Sequence, residues 1–410
     1  MKSVLEDKRW NIFKYAYTNV PAYRDLLKKQ HIDVNELIRS EKWEYIPIVN
    51  KNEIIYNTEK FISEEYFVDV ALDRLIHTHT SGSTGTFLDV YWKKEDLNRA
   101  LMPLWIDRWK SAHVNPEDKL CQFNTTLCNN KKYEINGNKL VVSKQHLFDY
   151  NFYEICKIIK KFSPKWLIIH PAIARTLLDK TKFLEESIFS NLKYIELTGE
   201  MVLPGLVEEL QNTWNCMVKK HYGCMETQTI GYEGKNSYRI YQQSTYVEIL
   251  DEMGKKVSDG NTGNIFVTSL HNNVMPFIRY GVGDRGRIYT KNIDGCVVKY
   301  LYLEKARKND RILLENGQKI AADILLKPIE LINGYYQNVV HQFQAIQLTR
   351  DKIKVKIVSD DDFDKQKIIN IYLQSIQQTV LNKIKFEFEF NKCLYPNETS
   401  GKIRWFICEI

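Results

Sequence analysis

Apolar residues recur every three or four positions at the start of the chain. Trp10, Phe13, Tyr17 and Val20 fall on one helical face. Asn19-Val20-Pro21 ends that helix, and Tyr23, Leu26 and Leu27 begin another. Pro47 to Lys51 reads as a turn into a helix over 51–55. Residues 71–77 and 87–92 then read as short strands, with a bulk-free run between them. Lys94 to Ala112 predicts a long helix with Leu97, Leu101, Leu104, Trp105 and Trp109 on one side. Beyond it, strand and helix patterns alternate. Strands are expected at 120–124, 140–142, 164–170, 192–198 and 216–222, and helices at 152–162, 172–178 and 204–214.

That alternation predicts an α/β fold with helix-covered parallel sheets. Ligands in such folds sit beyond the carboxyl ends of strands. Three strand ends carry suggestive residues: Ile76 before the bulk-free run, Ile169 before His170-Pro171, and Leu197 before Thr198-Gly199-Glu200. From Tyr241 the pattern becomes strands joined by glycine turns, a β-rich subdomain. Arg307 to Arg311 is a charged joint. The remainder predicts a smaller α+β domain, with a helix over 362–381 presenting Ile369, Leu373, Ile376 and Val380. The expected organisation is therefore a large domain at 1–306 and a small mobile one at 307–410.

Composition narrows the class. The chain has 410 residues, enough for more than one domain. No apolar run reaches membrane-spanning length, and the N-terminus is charged from Lys2 with no signal-peptide core. Eight cysteines lie scattered without CxxC pairs. These features lead us to expect a cytoplasmic protein without a structural zinc site and without a membrane partner. The net charge of +7 suits an acidic small partner or plain solubility, and no basic stripe points to nucleic acid.

The candidate chemistry begins with Thr80, Ser81, Gly82, Ser83, Thr84 and Gly85. Hydroxyls and glycines suit a phosphate cradle, because the backbone can approach closely and its N–H groups can point at an anion. A polar hairpin loop is the commoner reading of such a run in isolation. Tyr222-Gly223-Cys224-Met225-Glu226 follows a strand and places a carboxylate where magnesium could bind, although a lone glutamate is more often solvated. Asp284, after Gly283 at a strand turn, could hold ribose hydroxyls or be ordinary turn chemistry. Lys402, beside Gly401, could be a solvated lysine of the C-terminal loop. Phe123, His170, Thr198, His221, Cys224 and Met225 would line a pocket at the strand ends, although for either histidine a satisfied core position is the somewhat commoner reading.

Together these stretches resemble the adenylate-forming enzymes, which include acyl-CoA synthetases and peptide-synthetase adenylation domains. Thr80 to Gly85 is similar to their phosphate loop, Thr198-Gly199-Glu200 to the adenine-contacting segment, and Tyr222 to Glu226 to the aromatic-Gly-x-x-Glu motif. Arg279 to Asp284, Arg307 to Asp310 and Gly401-Lys402-Ile403-Arg404 are similar to the ribose-binding, hinge and catalytic-lysine segments. Six motifs in order are far more specific than any one. Tyr15 to Tyr23 and Ile46-Pro47-Ile48 resemble the phenylacetate–CoA ligase and capsule-associated branch in particular. Two departures stand out: Thr86-Phe87-Leu88 replaces the usual proline and lysine, and Asn309 stands at the hinge.

The resemblance implies ATP- and Mg2+-dependent activation of a small carboxylic acid to acyl-AMP. Thr80, Glu226 and Lys402 would be catalytic, with Glu226 on the magnesium. Ser81 to Gly85, Gly199, Glu200, Tyr222, Gly223, Asp284 and Arg307 would bind the nucleotide, and Asn309 would be the hinge. The acyl group would pass to a phosphopantetheine thiol, on an acyl carrier protein or as coenzyme A; adenylyl transfer onto a cofactor is the third possibility. The branch suggests an aryl acid, such as the dihydroxybenzoate of siderophore assembly.

Overall fold

The computed structural model describes residues 4–80, 87–125, 127, 130–234, 236–397 and 401–410, with side chains from residue 8 onward. The chain forms two compact units. One comprises 1–110 and 221–304, the other 111–220 and 305–410.

The first unit opens with the helices Val4–Asn19, Pro21–Lys29 and Val34–Ser40. The breaks fall where the sequence places them: Pro21 starts the second helix, and the Asp33 carboxylate caps the third by accepting from the Asn35 and Glu36 amides. Trp10, Phe13 and Val20 are buried, and Trp10 meets Trp43 edge to face at 5.4 Å. The strands Ile76–His79 and Asp89–Trp92 pair antiparallel, with Ile76 opposite Trp92. Beside them an antiparallel sheet runs in the order Thr245–Leu250, Gly263–Ser269, Tyr280–Ile293, Cys296–Leu303, Ser237–Ile240 and Gly231–Gly234. The β-rich region thus starts at Gly231, ten residues before its expected boundary at Tyr241.

The helix Lys94–Ala112 forms as expected, with Leu104 buried and Leu97 and Leu101 packed against core residues, but its inner face is turned away from Trp109. Asp96, Ala100, Pro103, Leu104 and Arg108 are buried, while Trp109 is 55 % exposed. The reason is local. Ser244 Oγ donates to the Ala100 carbonyl, which fixes the inner face, and Arg108 stacks on Trp105 and covers it.

The second unit is built on the strands Tyr194–Thr198, Trp166–Ile169, Leu120–Asn124, Lys139–Ser143 and Tyr133–Asn136, adjacent in that order. The first four are parallel, and Tyr133–Asn136 runs antiparallel at the edge. The helices Phe152–Phe162, Pro171–Thr181 and Leu206–Trp214 supply the covering layer. Leu167, Ile169, Ile195, Ile173 and Leu177 are among the buried residues of its core. In the same unit, residues 305–410 make a four-stranded sheet in the order Lys385–Phe390, Lys352–Ser359, Val340–Thr349, Phe406–Cys408. The helices Lys327–Tyr335 and Lys365–Gln377 accompany it. The second is shorter than expected. Asp364 caps its start, and it ends at Gln377, so the buried stripe is Ile368, Tyr372 and Ile376 and Val380 is exposed. Burying each such side chain stabilises by about 1.5–3 kcal/mol. The architecture is α/β, with helix-covered sheets, a β-rich part and a smaller α+β segment.

Candidate active site

In the first unit, Thr80 directly follows the first hairpin strand, Ile76–His79. Its Oγ1 accepts from the Leu88 amide at 3.1 Å, and its own N–H donates to the Leu88 carbonyl. Ser81, Gly82, Ser83, Thr84 and Gly85, the rest of the proposed phosphate cradle, lie outside the described residues.

The stretch Tyr222 to Glu226 leaves the strand Met217–Tyr222 and turns tightly. The Gln228 amide donates to the Cys224 carbonyl, and a β-carbon on Gly223 would stand 2.2 Å from the Gln228 carbonyl oxygen. Only glycine fits there. Trp92, fully buried, donates its indole N–H to the Met225 carbonyl at 3.2 Å and so ties the turn to the first hairpin. The turn delivers Glu226 to the interior, where it is 4 % exposed and its Oε1 accepts the Tyr280 hydroxyl at 2.6 Å. Burial and the neighbouring Glu226 raise the Tyr280 phenol far above its ordinary pKa, so it stays a donor. Tyr222 donates its hydroxyl to Asp284 Oδ2 at 2.8 Å. His221 Nε2 lies 2.9 Å from Thr229 Oγ1. Burial first, with the Glu226 charge adding to it, pushes the Cys224 thiol well above its ordinary value, so it is no nucleophile.

This unit therefore brings together two carboxylates, each met by a neutral phenol. Glu226 pairs with no lysine, arginine or histidine among the described residues. A buried carboxylate without a countercharge is costly, and a divalent cation is one way to meet that cost. The residues present fit magnesium on Glu226. Arg279 has a different job. Its side chain donates to the Glu44 and Ile46 carbonyls and pairs with Glu248 at 3.3 Å, holding the 44–46 segment against the sheet.

In the second unit, His170 caps the strand Trp166–Ile169 and leads into a helix at Pro171. Its Nδ1 lies 2.9 Å from Lys144 Nζ and 3.5 Å from Glu200 Oε1. Gly199 lies against the same ring: a β-carbon there would stand 3.1 Å from His170 Nε2. Burial above all holds His170 below its ordinary pKa, with Lys144 and Lys402 pushing the same way. Glu200 accepts from the Ala172 amide at 3.1 Å and from the Ile403 amide at 3.2 Å. Burial pushes its carboxyl up, but the bonds from His170 and Ala172 and the Lys144 charge outweigh that and hold it below the ordinary range. Lys144 Nζ donates to the Gly401 carbonyl at 3.2 Å. His170, Gly199, Glu200 and the backbone beside Lys402 thus meet at one place. Phe123 is buried in the core of this unit, and Thr198 ends its strand half-buried.

Arg307 and Asn309 are exposed and flank a turn closed by Asp310, whose Oδ2 accepts from the Arg307 amide. Asp310 is buried and its Oδ1 lies 3.3 Å from Arg404 Nη2. Sequence reasoning passed over Tyr280, Trp92 and Lys144. Tyr280 had a signal: it lies within the Arg279 to Asp284 motif, four residues before Asp284. Lys144 had none.

Residues 30–276 match the model of AMP-binding enzymes, and residues 312–409 match the CapK C-terminal domain. The chain therefore belongs to the AMP-binding enzyme family and is an adenylate-forming ligase. No curated protein matches it. Among solved structures it is similar to 2-hydroxyisobutyryl-CoA ligase in the postadenylation state, at 14 % identity and a TM-score of 0.74, over 99 % of this chain and 89 % of that one. The same ligase in its thioesterification state gives 0.59 at 15 % identity, over 98 % and 88 %. The anthranilate CoA ligase AuaEII gives 0.56 at 15 % identity, over 80 % and 64 %. Among the described residues no helix is long and apolar enough to cross a membrane.

Proposed function

We propose that the protein activates an aryl acid, such as a hydroxybenzoate, with ATP and passes the acyl group to a phosphopantetheine thiol. The observation that carries the reading is Glu226. It is a buried carboxylate held by Tyr280 and without a cationic partner among the described residues, in the position of the aromatic-Gly-x-x-Glu motif.

In the first step an oxygen of the acid carboxylate attacks the α-phosphorus of ATP. The bond to the β-phosphate oxygen breaks, and acyl-AMP and pyrophosphate form. Magnesium, when bound, draws charge off the phosphate oxygens. Glu226 would hold it, and Tyr280 keeps the carboxylate oriented. Thr80 and Ser81 to Gly85 would cradle the phosphates, and Tyr222 and Gly223 would border the nucleotide. Asp284 would accept the ribose hydroxyls while Tyr222 fixes its rotamer. Gly199 and Arg307 would also contact the nucleotide. Lys402 would set its ammonium between carboxylate and phosphate oxygens, where charge moves in the transition state. In the second step the thiol sulfur attacks the acyl carbon and AMP leaves. Residues 307–410 would turn about Asn309 between the steps. His170, Thr198, His221, Cys224 and Met225 would border the acid.

The preferred acceptor is a carrier-bound thiol, which the positive net charge would attract if the carrier is acidic. Free coenzyme A is the second reading, favoured because both structural relatives are coenzyme A ligases. The test is thioester formation from ATP across a panel of aryl, hydroxy, fatty and amino acids, with free coenzyme A or a phosphopantetheinylated carrier. Thioester from an aryl acid on the carrier supports the reading. Turnover with coenzyme A alone selects the second, and activation of only non-aryl acids removes the aryl assignment.

A further inference from the structure

Lys144 is 3 % exposed and sits at the end of the strand Lys139–Ser143, at the head of a short 3-10 turn. Burying an ammonium is expensive, and burial here pushes its pKa down to about 8, with Glu200 opposing the shift. An apolar side chain of the same length would avoid that cost. What the ammonium obtains is specific. It donates to the carbonyl of Gly401, 257 residues away in sequence, and it lies against His170. Glu200, beside it, accepts from the amide of Ile403. The two charges therefore hold the backbone immediately before and immediately after Lys402.

The loop is shaped to accept this grip. Gly401 is left-handed, with φ of +61°, and a β-carbon there would stand 2.1 Å from Thr125 Oγ1. Asn397 closes the loop from the other side: its N–H donates to the Lys402 carbonyl, and its carbonyl accepts from the Gly401 amide. Every backbone group around Lys402 that these bonds reach is fixed, while its side chain is only half-buried.

We propose that Lys144 is a positioning residue: together with Glu200 it clamps the backbone on both sides of Lys402 and so sets where that ammonium is presented for the first half-reaction. The inference rests on the reading of Lys402 as the first-step cation. It adds a second role for Glu200, whose carboxylate is occupied by backbone amides.

The test is hydrogen exchange of the 397–405 segment in the full-length protein with ATP and magnesium, for wild type and Lys144→Met. Exchange there should rise about tenfold or more in the variant, with the rest of the chain unchanged. Gly401→Ala, which blocks docking without touching Lys144, should give the same local exposure and serves if Lys144→Met does not fold. In pyrophosphate exchange with an acid the wild type activates, Lys144→Met should lower kcat about 10- to 100-fold at unchanged KM for ATP. It should leave transfer from supplied acyl-AMP intact, and adding it to Lys402→Ala should cost nothing further. Unchanged exchange at 397–405, exchange raised across the whole unit, or losses that multiply in the double variant would each overturn the proposal. If Lys402→Ala is itself silent, the Lys402 reading falls and takes the clamp with it. If Lys402→Ala loses the first step and Lys144→Met does not, the clamp alone falls.

Discussion

The two units hold their carboxylates in opposite ways. In the first, Glu226 and Asp284 are met by the neutral hydroxyls of Tyr280 and Tyr222. A phenol orients a carboxylate without cancelling its charge, so the charge stays available to a cation or to a hydroxyl donor. In the second unit, Glu200 faces Lys144 and His170, and its oxygens are spent on two backbone amides. Its charge is used up in holding structure. On the proposed reading, Glu226, buried and met by the Tyr280 hydroxyl, is a carboxylate that a bound cation would complete. A buried carboxylate met by cations and amides marks where the chain itself is being held.

The largest effect expected of this contrast is at Lys402. Lys402→Ala should reduce ATP–pyrophosphate exchange on the order of 10²–10³-fold while sparing transfer from supplied acyl-AMP. Equal loss of both steps would remove the proposed turn about Asn309. Glu226→Gln should lower the apparent magnesium affinity severely and with it the exchange, with the fold intact, because an amide is a poor magnesium ligand. Near-normal exchange at limiting magnesium would make Glu226 a mere packing residue. Tyr280→Phe is the finer probe: it keeps the ring and removes the oriented donor, so the apparent magnesium affinity should fall about 10- to 100-fold. No change would mean the phenol is only filling space.

The smallest effect is a pH signature. Lys144 has its pKa lowered to about 8 in the folded chain, while the unfolded value is about 10.4. Between the two, the unfolded chain binds the extra proton, so stability rises with pH across that window, and the cost of burying the charge is fully present below pH 8. The Tm of the wild type minus that of Lys144→Met should therefore climb between pH 8 and 9.5 and be flat from 6.5 to 7.5. A flat difference throughout would mean Lys144 is not buried as an ammonium.

Much of the first unit's site is legible in sequence because it is local. Tyr222, Gly223 and Glu226 lie within five residues, and Tyr280 lies four residues before Asp284 in one motif. The parallel strands Trp166–Ile169 and Tyr194–Thr198 are legible for the same reason: they are short apolar runs ending in polar residues. The clamp is not legible. Lys144 lies in no motif, and its partners are 26 and 257 residues away. The inner face of Lys94–Ala112 is legible at Leu97, Leu101 and Leu104 but not at Trp109, because Ala100, bonded through its carbonyl to Ser244, and Arg108, stacked on Trp105, take inner positions. The strands Gly231–Gly234 and Ser237–Ile240 are not legible because each is only four residues long, too short for a period-two pattern to stand out.

The most direct test of the account is wild-type ATP–pyrophosphate exchange with acid and magnesium each supplied or withheld. The account predicts exchange only when an acid of the panel and magnesium are both present, with Glu226→Gln and Lys402→Ala both failing under those conditions. Exchange without any acid, or none with any acid at saturating ATP and magnesium, would contradict it.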